Sequence, residues 1–499
     1  MNIHLSSDTI CAVATASGGA IGIIRVSGPQ AITITDRIFV PATSRDGKQG
    51  KKLEERKAYT LAFGNIIGSE GQTVDEVLVS IFHAPHSYTG EYSVEISCHG
   101  SAYILQQVMQ LLIQNGCRAA GPGEYTQRAF LNGKMDLSQA EAVADLIASN
   151  TAASHRMAMN QMRGSFSKEL SVLRDKLLHL TSLMELELDF PDHEDIEFAD
   201  RAELVTIADK IEHVINRLIS SFKQGNAIKN GIPVAIIGET NAGKSTLLNL
   251  LVGEERAIVS DIHGTTRDVI EDTVTIDGQL FRFIDTAGIR DTDDKIESIG
   301  IERTIKKTQQ AEIVLLLLDA TCADKQLQEL APRVVPLCKN KTLILVYNKC
   351  DLIATSSAVP VSSTLSDFSS QELLTSEMSS TIKCLSISAK TGAGIEELRK
   401  LLSQSFSLAT ESEDDVIVSN IRHIEALRAA HADIVRVLDG LRSSLPTDLV
   451  SQDLRSCLYH LGEITGGEIQ TDEVLGNIFS HFCIGKCPLI NNSKQLGVI

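Results

Sequence analysis

The stretch Gly238-Glu-Thr-Asn-Ala-Gly243-Lys244-Ser245 follows an apolar run, Pro233 to Ile237, and opens a helical stretch that reaches Leu251. A strand that enters a glycine-bounded loop ending in Lys-Ser, with a helix after it, is the setting in which such a loop cradles phosphate. The glycines let the backbone curl so that its N–H groups point at a β-phosphate beside the helix N-terminus. Lys244 places a positive charge on the β- and γ-phosphates, and the Ser245 hydroxyl is the expected Mg²⁺ ligand. Around this loop, from about 230 to 405, apolar β-type runs alternate with helical stretches, a pattern that predicts βα units and a parallel sheet.

Four further motifs follow in order. Phe283-Ile284-Asp285-Thr286-Ala287-Gly288 follows a β run, with Asp285 forty residues after Ser245. Asp285 is placed to hold Mg²⁺ through water, and the Gly288 N–H to meet the γ-phosphate. Between them lies Ser260-Asp261-Ile262-His263-Gly264-Thr265-Thr266-Arg267, where a threonine hydroxyl completes the Mg²⁺ shell only while the γ-phosphate is present, a two-state switch. Asn348-Lys349-Cys350-Asp351 ends the apolar run that begins at Leu343. A carboxylate at Asp351 accepts from both N1–H and the exocyclic amine of guanine, whereas adenine offers no such donor pair. Ser388-Ala389-Lys390 matches the loop whose backbone meets guanine O6. With Asn241, Ala242, Gly243, Lys244, Ser245 and Thr246, these segments predict a GTP site, not an ATP site. The residue after Gly288 is Ile289, which cannot orient water through a hydrogen bond, so that role falls to a neighbour among Asp291, Asp293, Asp294, Glu297 and Glu302.

A chain of 499 residues is too long for one core and predicts two to four domains. Residues 8–120 read as short β runs with glycine turns and a helix near 102–115, an α+β pattern. From 136 to 222 and again from 418 to 482 the periodicity is helical, with Ala140, Val143, Leu146 and Ile147, then Leu170, Leu173, Leu177 and Leu178, proposed as apolar stripes. The order of patterns implies a nucleotide domain inserted into a discontinuous helical one, with the Ser/Thr-rich segment 355–381 as an exposed insertion. The ten cysteines form no Cys-x-x-Cys pair and read as reduced thiols. No apolar run approaches the roughly 20 residues that cross a bilayer, and residues 1–16 show no signal-peptide pattern. A net charge of −18 argues against coating nucleic acid by electrostatics alone.

Beyond the nucleotide motifs, this chain carries Asp8-Thr-Ile, Gly22-Ile-Ile-Arg25-Val-Ser-Gly28, Ser87-Tyr-Thr-Gly-Glu91 through Glu95 to His99-Gly100, and Gly121-Pro-Gly-Glu124 through Lys134. It also carries Asp136-Leu-Ser-Gln-Ala-Glu-Ala, Leu461-Gly-Glu-Ile-Thr-Gly and Phe482-Cys483-Ile-Gly-Lys486. Along nearly its whole length it resembles the MnmE (TrmE) family of tRNA-modification GTPases. The resemblance implies a multidomain α/β plus α architecture. An N-terminal α+β folate-binding and dimerisation domain (1–120) would precede a discontinuous all-α helical domain (121–228 and 406–486). A Ras-like GTPase domain with a doubly wound sheet (229–405) would be inserted in it, and a tail (487–499) would extend past the usual family end. It further implies a homodimer, an FAD-dependent partner protein in a heterotetramer-type complex, and a carboxymethylaminomethyl-type group added to C5 of the tRNA wobble uridine. The partner can supply much of the tRNA surface, which removes the charge objection.

Carried over residue by residue, Asn241 matches the potassium ligand, with the backbone around Ser260, Ile262 and Thr265 completing its shell. Thr266 matches the Mg²⁺ threonine beside Ser245. Glu297 matches the glutamate that positions water, so Glu297 and Lys244 are the catalytic assignments. Arg25, Glu95, Lys134 and Lys486 match positions for a tetrahydrofolate one-carbon carrier, and Cys483 is a candidate reactive thiol. A cytoplasmic location follows from the same resemblance. The competing class is a GTP-switched ribosome-assembly or regulatory factor with no chemistry on RNA.

Overall fold

The computed structural model describes residues 8–16, 18–43, 50–189, 201–253, 272–284, 308–339, 341–353, 382–406, 416–443 and 445–467. They fall into two compact units, each described by itself. The first takes in the described residues up to Ala144, Met162–Ser171, and those from Leu458 onward.

Its centre is a seven-stranded sheet of β1 (Thr9–Val13), β2 (Ile21–Ser27), β3 (Phe39–Pro41), β4 (Thr60–Ile67), β5 (Thr73–Phe82), β6 (Ser93–His99) and β7 (Cys117–Ala119). The spatial order is β3-β4-β5-β6-β2-β1-β7. The central pairs are antiparallel and only the β1–β7 edge is parallel. Strict alternation in β5 sends Val77, Val79 and Ile81 into one face, where α1 (Ala31–Ile38) and α2 (Ala102–Gln114) pack over them through Ile34, Ile38, Val108 and Leu112. On the other face α3 (Glu124–Leu131) lays Tyr125 on Ile10 and Ala12 of β1.

The helical stretch is realised as α4 (Leu137–Ala148), α5 (Ala152–Met162), α6 (Ser165–Asp189) and α7 (Arg201–Asn230). Its apolar stripes are narrower than periodicity predicts. Leu170, Leu173 and Leu177 are buried, but Leu178 is 39% exposed and the seam continues instead through Leu180 and Met184. Steps of three and four alternate along this row, the spacing of a narrow helix–helix seam. Likewise Ala140 is buried and Ile147 is 59% exposed.

In the second unit the chain passes through β8 (Ile232–Ile237), α8 (Lys244–Gly253), β9 (Asp272–Ile276), β10 (Gln279–Phe283), β11 (Ile313–Asp319), α9 (Ala323–Val334), β12 (Thr342–Asn348), β13 (Ile382–Ser386) and α10 (Ile395–Ser405). Helix α11 (Ile421–Arg442) follows, and then α12 (Thr447–Thr465), whose residues from Leu458 onward belong to the first unit. The sheet order is β13-β12-β11-β8-β10-β9, parallel except for the β9 edge. β8 and β11 are uninterrupted apolar runs because both of their faces are covered: Val234, Ile236, Leu315 and Leu317 enter one core cluster, and Ala235, Ile237, Val314, Leu316 and Leu318 the other. The hairpin β9–β10 turns on Asp277 (φ 49°) and Gly278 (φ 74°), the two positive values that match strand twist. From β8 the chain visits β10 on one side and then β11 on the other. Strand order therefore reverses between β8 and β11, and their carboxyl ends open the crevice where such sheets bind ligands. Among the described residues no helix is long and apolar enough to cross a membrane.

Candidate functional site

The phosphate loop leaves the end of β8 at that reversal point. A Cβ on Gly238 would lie 2.4 Å from the Leu317 carbonyl oxygen, so glycine is what lets the loop pass β11. Asn241 takes a left-handed conformation (φ 66°), and Gly243 (φ +98°) turns the chain into α8. The Lys244 ammonium folds back over the loop and donates to the carbonyls of Gly238 and Glu239 at 2.8 and 2.6 Å. Its charge thus sits beside the backbone amides at the start of α8, where anions are stabilised.

Three segments far apart in the chain meet there. Asn348, at the end of β12 and 2% exposed, donates from Nδ2 to the Ala242 carbonyl at 2.8 Å and accepts the Ala389 N–H at Oδ1 at 2.9 Å. One side chain therefore ties the phosphate loop to the 388–390 loop. Lys349 is left-handed (φ 66°), and its ammonium donates to Asp319 Oδ2 at 2.6 Å. Burial alone would raise the Asp319 carboxyl, but hydrogen bonds from Lys349 and Thr321 outweigh it and hold this group below its usual range, as an anion. Asp351 is exposed, and Ser388 Oγ donates to its Oδ1 at 2.6 Å, which fixes the direction of that carboxylate. Lys390 is exposed beyond it.

Of the predicted nucleotide residues, the structure brings Asn241, Ala242, Gly243, Lys244, Ser245, Thr246, Asn348, Lys349, Asp351, Ser388, Ala389 and Lys390 to one end of the second unit's sheet. Ser260 to Thr266, Asp285 to Gly288 and Glu297 lie outside the described residues; β10, parallel to β8, ends at Phe283 just before the Asp285 motif. Sequence reading passed over Asp319 and Gln326. The one available signal was that Asp319 closes an apolar run in register with the end of β12.

In the first unit, Arg25 and Glu95 face each other across β2 and β6. The guanidinium donates to Glu95 Oε1 at 2.9 and 2.7 Å, and both side chains stay about one quarter exposed. The rings of Tyr88 and Tyr125 lie 5.5 and 5.7 Å from the Arg25 guanidinium carbon. Lys134 Nζ donates to the Pro85 carbonyl at 3.1 Å, on the loop that carries Tyr88. A partly buried ion-pair cluster ties together the motif blocks around 8, 91 and 124. Arg128, 4% exposed, meets Asp8, Glu91 and Glu124, and Arg118 meets Asp8 and Glu124. Burial would raise the Glu124 and Asp8 carboxyls, but the arginines hold both below their ordinary values. Cys483 and Lys486 lie outside the described residues.

A phosphate loop at the reversal point of a parallel sheet, braced against an Asn-Lys-x-Asp base loop, defines a P-loop GTPase. The family description "MnmE helical domain" matches residues 137–483, and "GTP-binding protein TrmE N-terminus" matches residues 9–134. The tRNA modification GTPase MnmE of Bacteroides thetaiotaomicron is 61% identical over 482 residues, covering 97% of this chain and 100% of its own length. Its counterparts in Porphyromonas gingivalis and Flavobacterium johnsoniae are 50% and 49% identical, each again covering at least 96% of this chain and 98% of their own. The chain belongs to the MnmE family of tRNA-modification GTPases.

Proposed function

We propose that this GTPase couples GTP hydrolysis to modification of C5 of the wobble uridine in certain tRNAs, adding a carboxymethylaminomethyl-type group together with an FAD-dependent partner protein in the cytoplasm. The reading is carried by the Asn348 brace, which presents phosphate loop and guanine-reading loop as one site in a chain that matches a tRNA modification GTPase over 97% of its length. Ser245 and Thr266 would hold Mg²⁺. Asn241, with the backbone of Ser260, Ile262 and Thr265, would hold K⁺; a cation beside the phosphates replaces an arginine finger, worth roughly 10³–10⁵ in rate elsewhere. Asn241 is exposed on the loop and left-handed, so its side chain is not committed to the core. Glu297 would orient the attacking water.

The domain boundaries at 120, 228, 405 and 486 belong to the same proposal. A tetrahydrofolate one-carbon carrier fits the first unit: Arg25 and Glu95 offer a quarter-exposed donor–acceptor pair flanked by two tyrosine rings, and Lys134 adds a cation for the carrier's carboxylates. When bound, it supplies the one-carbon unit; Lys486 would complete its site. Homodimerisation through this unit is supported by Leu61, Phe63 and Leu78, which stand 62%, 52% and 45% exposed on one face of β4 and β5.

Nucleoside mass spectrometry of total tRNA, with and without the gene, tests the reading. Loss of C5-substituted wobble uridines, restored by the wild-type gene but not by Lys244→Ala, is the expected result. An unchanged profile would move a ribosome-assembly or regulatory factor to the front. For the cation, GTP turnover in potassium is expected to exceed turnover in sodium at equal ionic strength by at least about tenfold; equal rates would remove the role given to Asn241.

A further inference from the structure

Glu239 places a carboxylate inside the phosphate loop, beside the position of a polyanion. It is not left to solvent. Gln326, 6% exposed in the first turns of α9, donates from Nε2 to Glu239 Oε2 at 2.8 Å. The same amide accepts the Asp319 N–H at Oε1 at 2.7 Å. Its orientation is settled by these two partners, because a flipped amide would set NH₂ against N–H at one end and oxygen against carboxylate at the other. Asp319 in turn holds Lys349, the lysine of the base loop, and accepts from the Thr321 N–H and hydroxyl at 3.0 and 2.7 Å. A chain of hydrogen bonds therefore runs from Glu239 through Gln326 and Asp319 to Lys349.

We propose that Gln326 is a positioning residue for GTP. It pins the Glu239 carboxylate against α9, so that this charge does not compete with the phosphates for the loop's donors. It also makes the phosphate loop and the Lys349 side of the base pocket move as one body. This rests on the nucleotide-site reading above and names a residue outside all five motifs. Since like charges at short range repel most in a partly desolvated site, the cost of releasing Glu239 falls more heavily on GTP than on GDP.

The experiment measures the affinity of the full-length protein for fluorescent GTP and GDP analogues in Mg²⁺ and potassium. Gln326→Glu keeps the acceptor for the Asp319 N–H but sets a second carboxylate against Glu239. It is expected to weaken GTP binding about tenfold or more, and GDP binding less. Adding Glu239→Gln supplies an amide donor to the new carboxylate and is expected to return GTP affinity to within about threefold of wild type. A merely structural role would lower the unfolding midpoint without the GTP–GDP split and without that rescue. If Gln326→Glu does not fold, Gln326→Asn, one methylene too short to span both partners, is expected to show the same loss and the same relief by Glu239→Gln. Wild-type GTP affinity in the Gln326 variants, or a loss that Glu239→Gln does not relieve, overturns the proposal. Lys244→Ala runs beside them. Full GTP affinity in that variant would overturn the nucleotide-site reading and this proposal with it. A loss there, with the Gln326 variants unaffected, overturns the Gln326 role alone.

Discussion

Asn348 shows how much one buried amide can carry. Its oxygen and nitrogen are both used, on loops 106 and 41 residues away in the chain. A Cβ on Gly243 would sit 2.2 Å from its Nδ2, so loop and brace are fitted to each other. Asn348→Ala removes both bonds and leaves the Ala242 carbonyl and the Ala389 N–H without that partner. Each such bond contributes about 0.5–1.5 kcal/mol, so GTP affinity is expected to fall roughly 10- to 100-fold, read by nucleotide titration. Wild-type affinity would show that the two loops hold their places without the brace. The identity of Asn348 was legible from Asn-Lys-x-Asp, but its second bond was not. That bond exists only because β12 and β13 are neighbours in the sheet.

At the scale of elements, α7 illustrates where a helical pattern leaves information out. Gly225 sits inside this 30-residue helix, where glycine costs roughly 0.5–1 kcal/mol relative to alanine. A Cβ there would lie 2.1 Å from the Val418 carbonyl oxygen, so the segment that enters α11 passes directly against the helix backbone. Propensity predicts that Gly225→Ala stabilises the protein, whereas packing predicts the opposite. With backbone as the obstacle, packing wins, and a net loss of about 1–3 kcal/mol is expected in denaturant unfolding. A rise in stability would mean that the 416–420 segment yields. The same helix is held to the start of β11 by Lys223 and Glu312 at 2.6 Å, and its Lys229 pairs with Asp145 at 2.7 Å. Neither pair follows from periodicity, which identifies a buried face but not the residue it meets.

For the molecule as a whole, the anionic carboxylates set the response to acid. Glu124, Asp8 and Asp319 are all held below their ordinary values in the folded state. The unfolded chain therefore binds protons more tightly, and the stability these groups contribute is complete above the ordinary carboxylate range of about 4. It is lost as pH falls through the lower folded-state values. The unfolding midpoint of the full-length protein is expected to drop on acidification below about pH 5. Glu124→Gln is expected to flatten that dependence while lowering stability at neutral pH by about 1–3 kcal/mol, the smaller end reflecting the half-exposed Arg118. An unchanged acid slope in that variant would assign the effect to other carboxylates.

The nucleotide chemistry was written in the sequence because it is local: a phosphate loop needs contiguous residues to curl its amides, and a base-reading carboxylate must follow its strand directly. The parallel sheet was legible for a similar reason, since strands covered on both faces must be apolar throughout. The tertiary structure alone decided which distant side chains meet. Arg25 finds Glu95 across 70 residues through strand register, and Gln326 finds Glu239 across 87 through the reversal of strand order between β8 and β11. Pairing of that kind depends on topology and register, which fix positions in space that no spacing along the chain encodes.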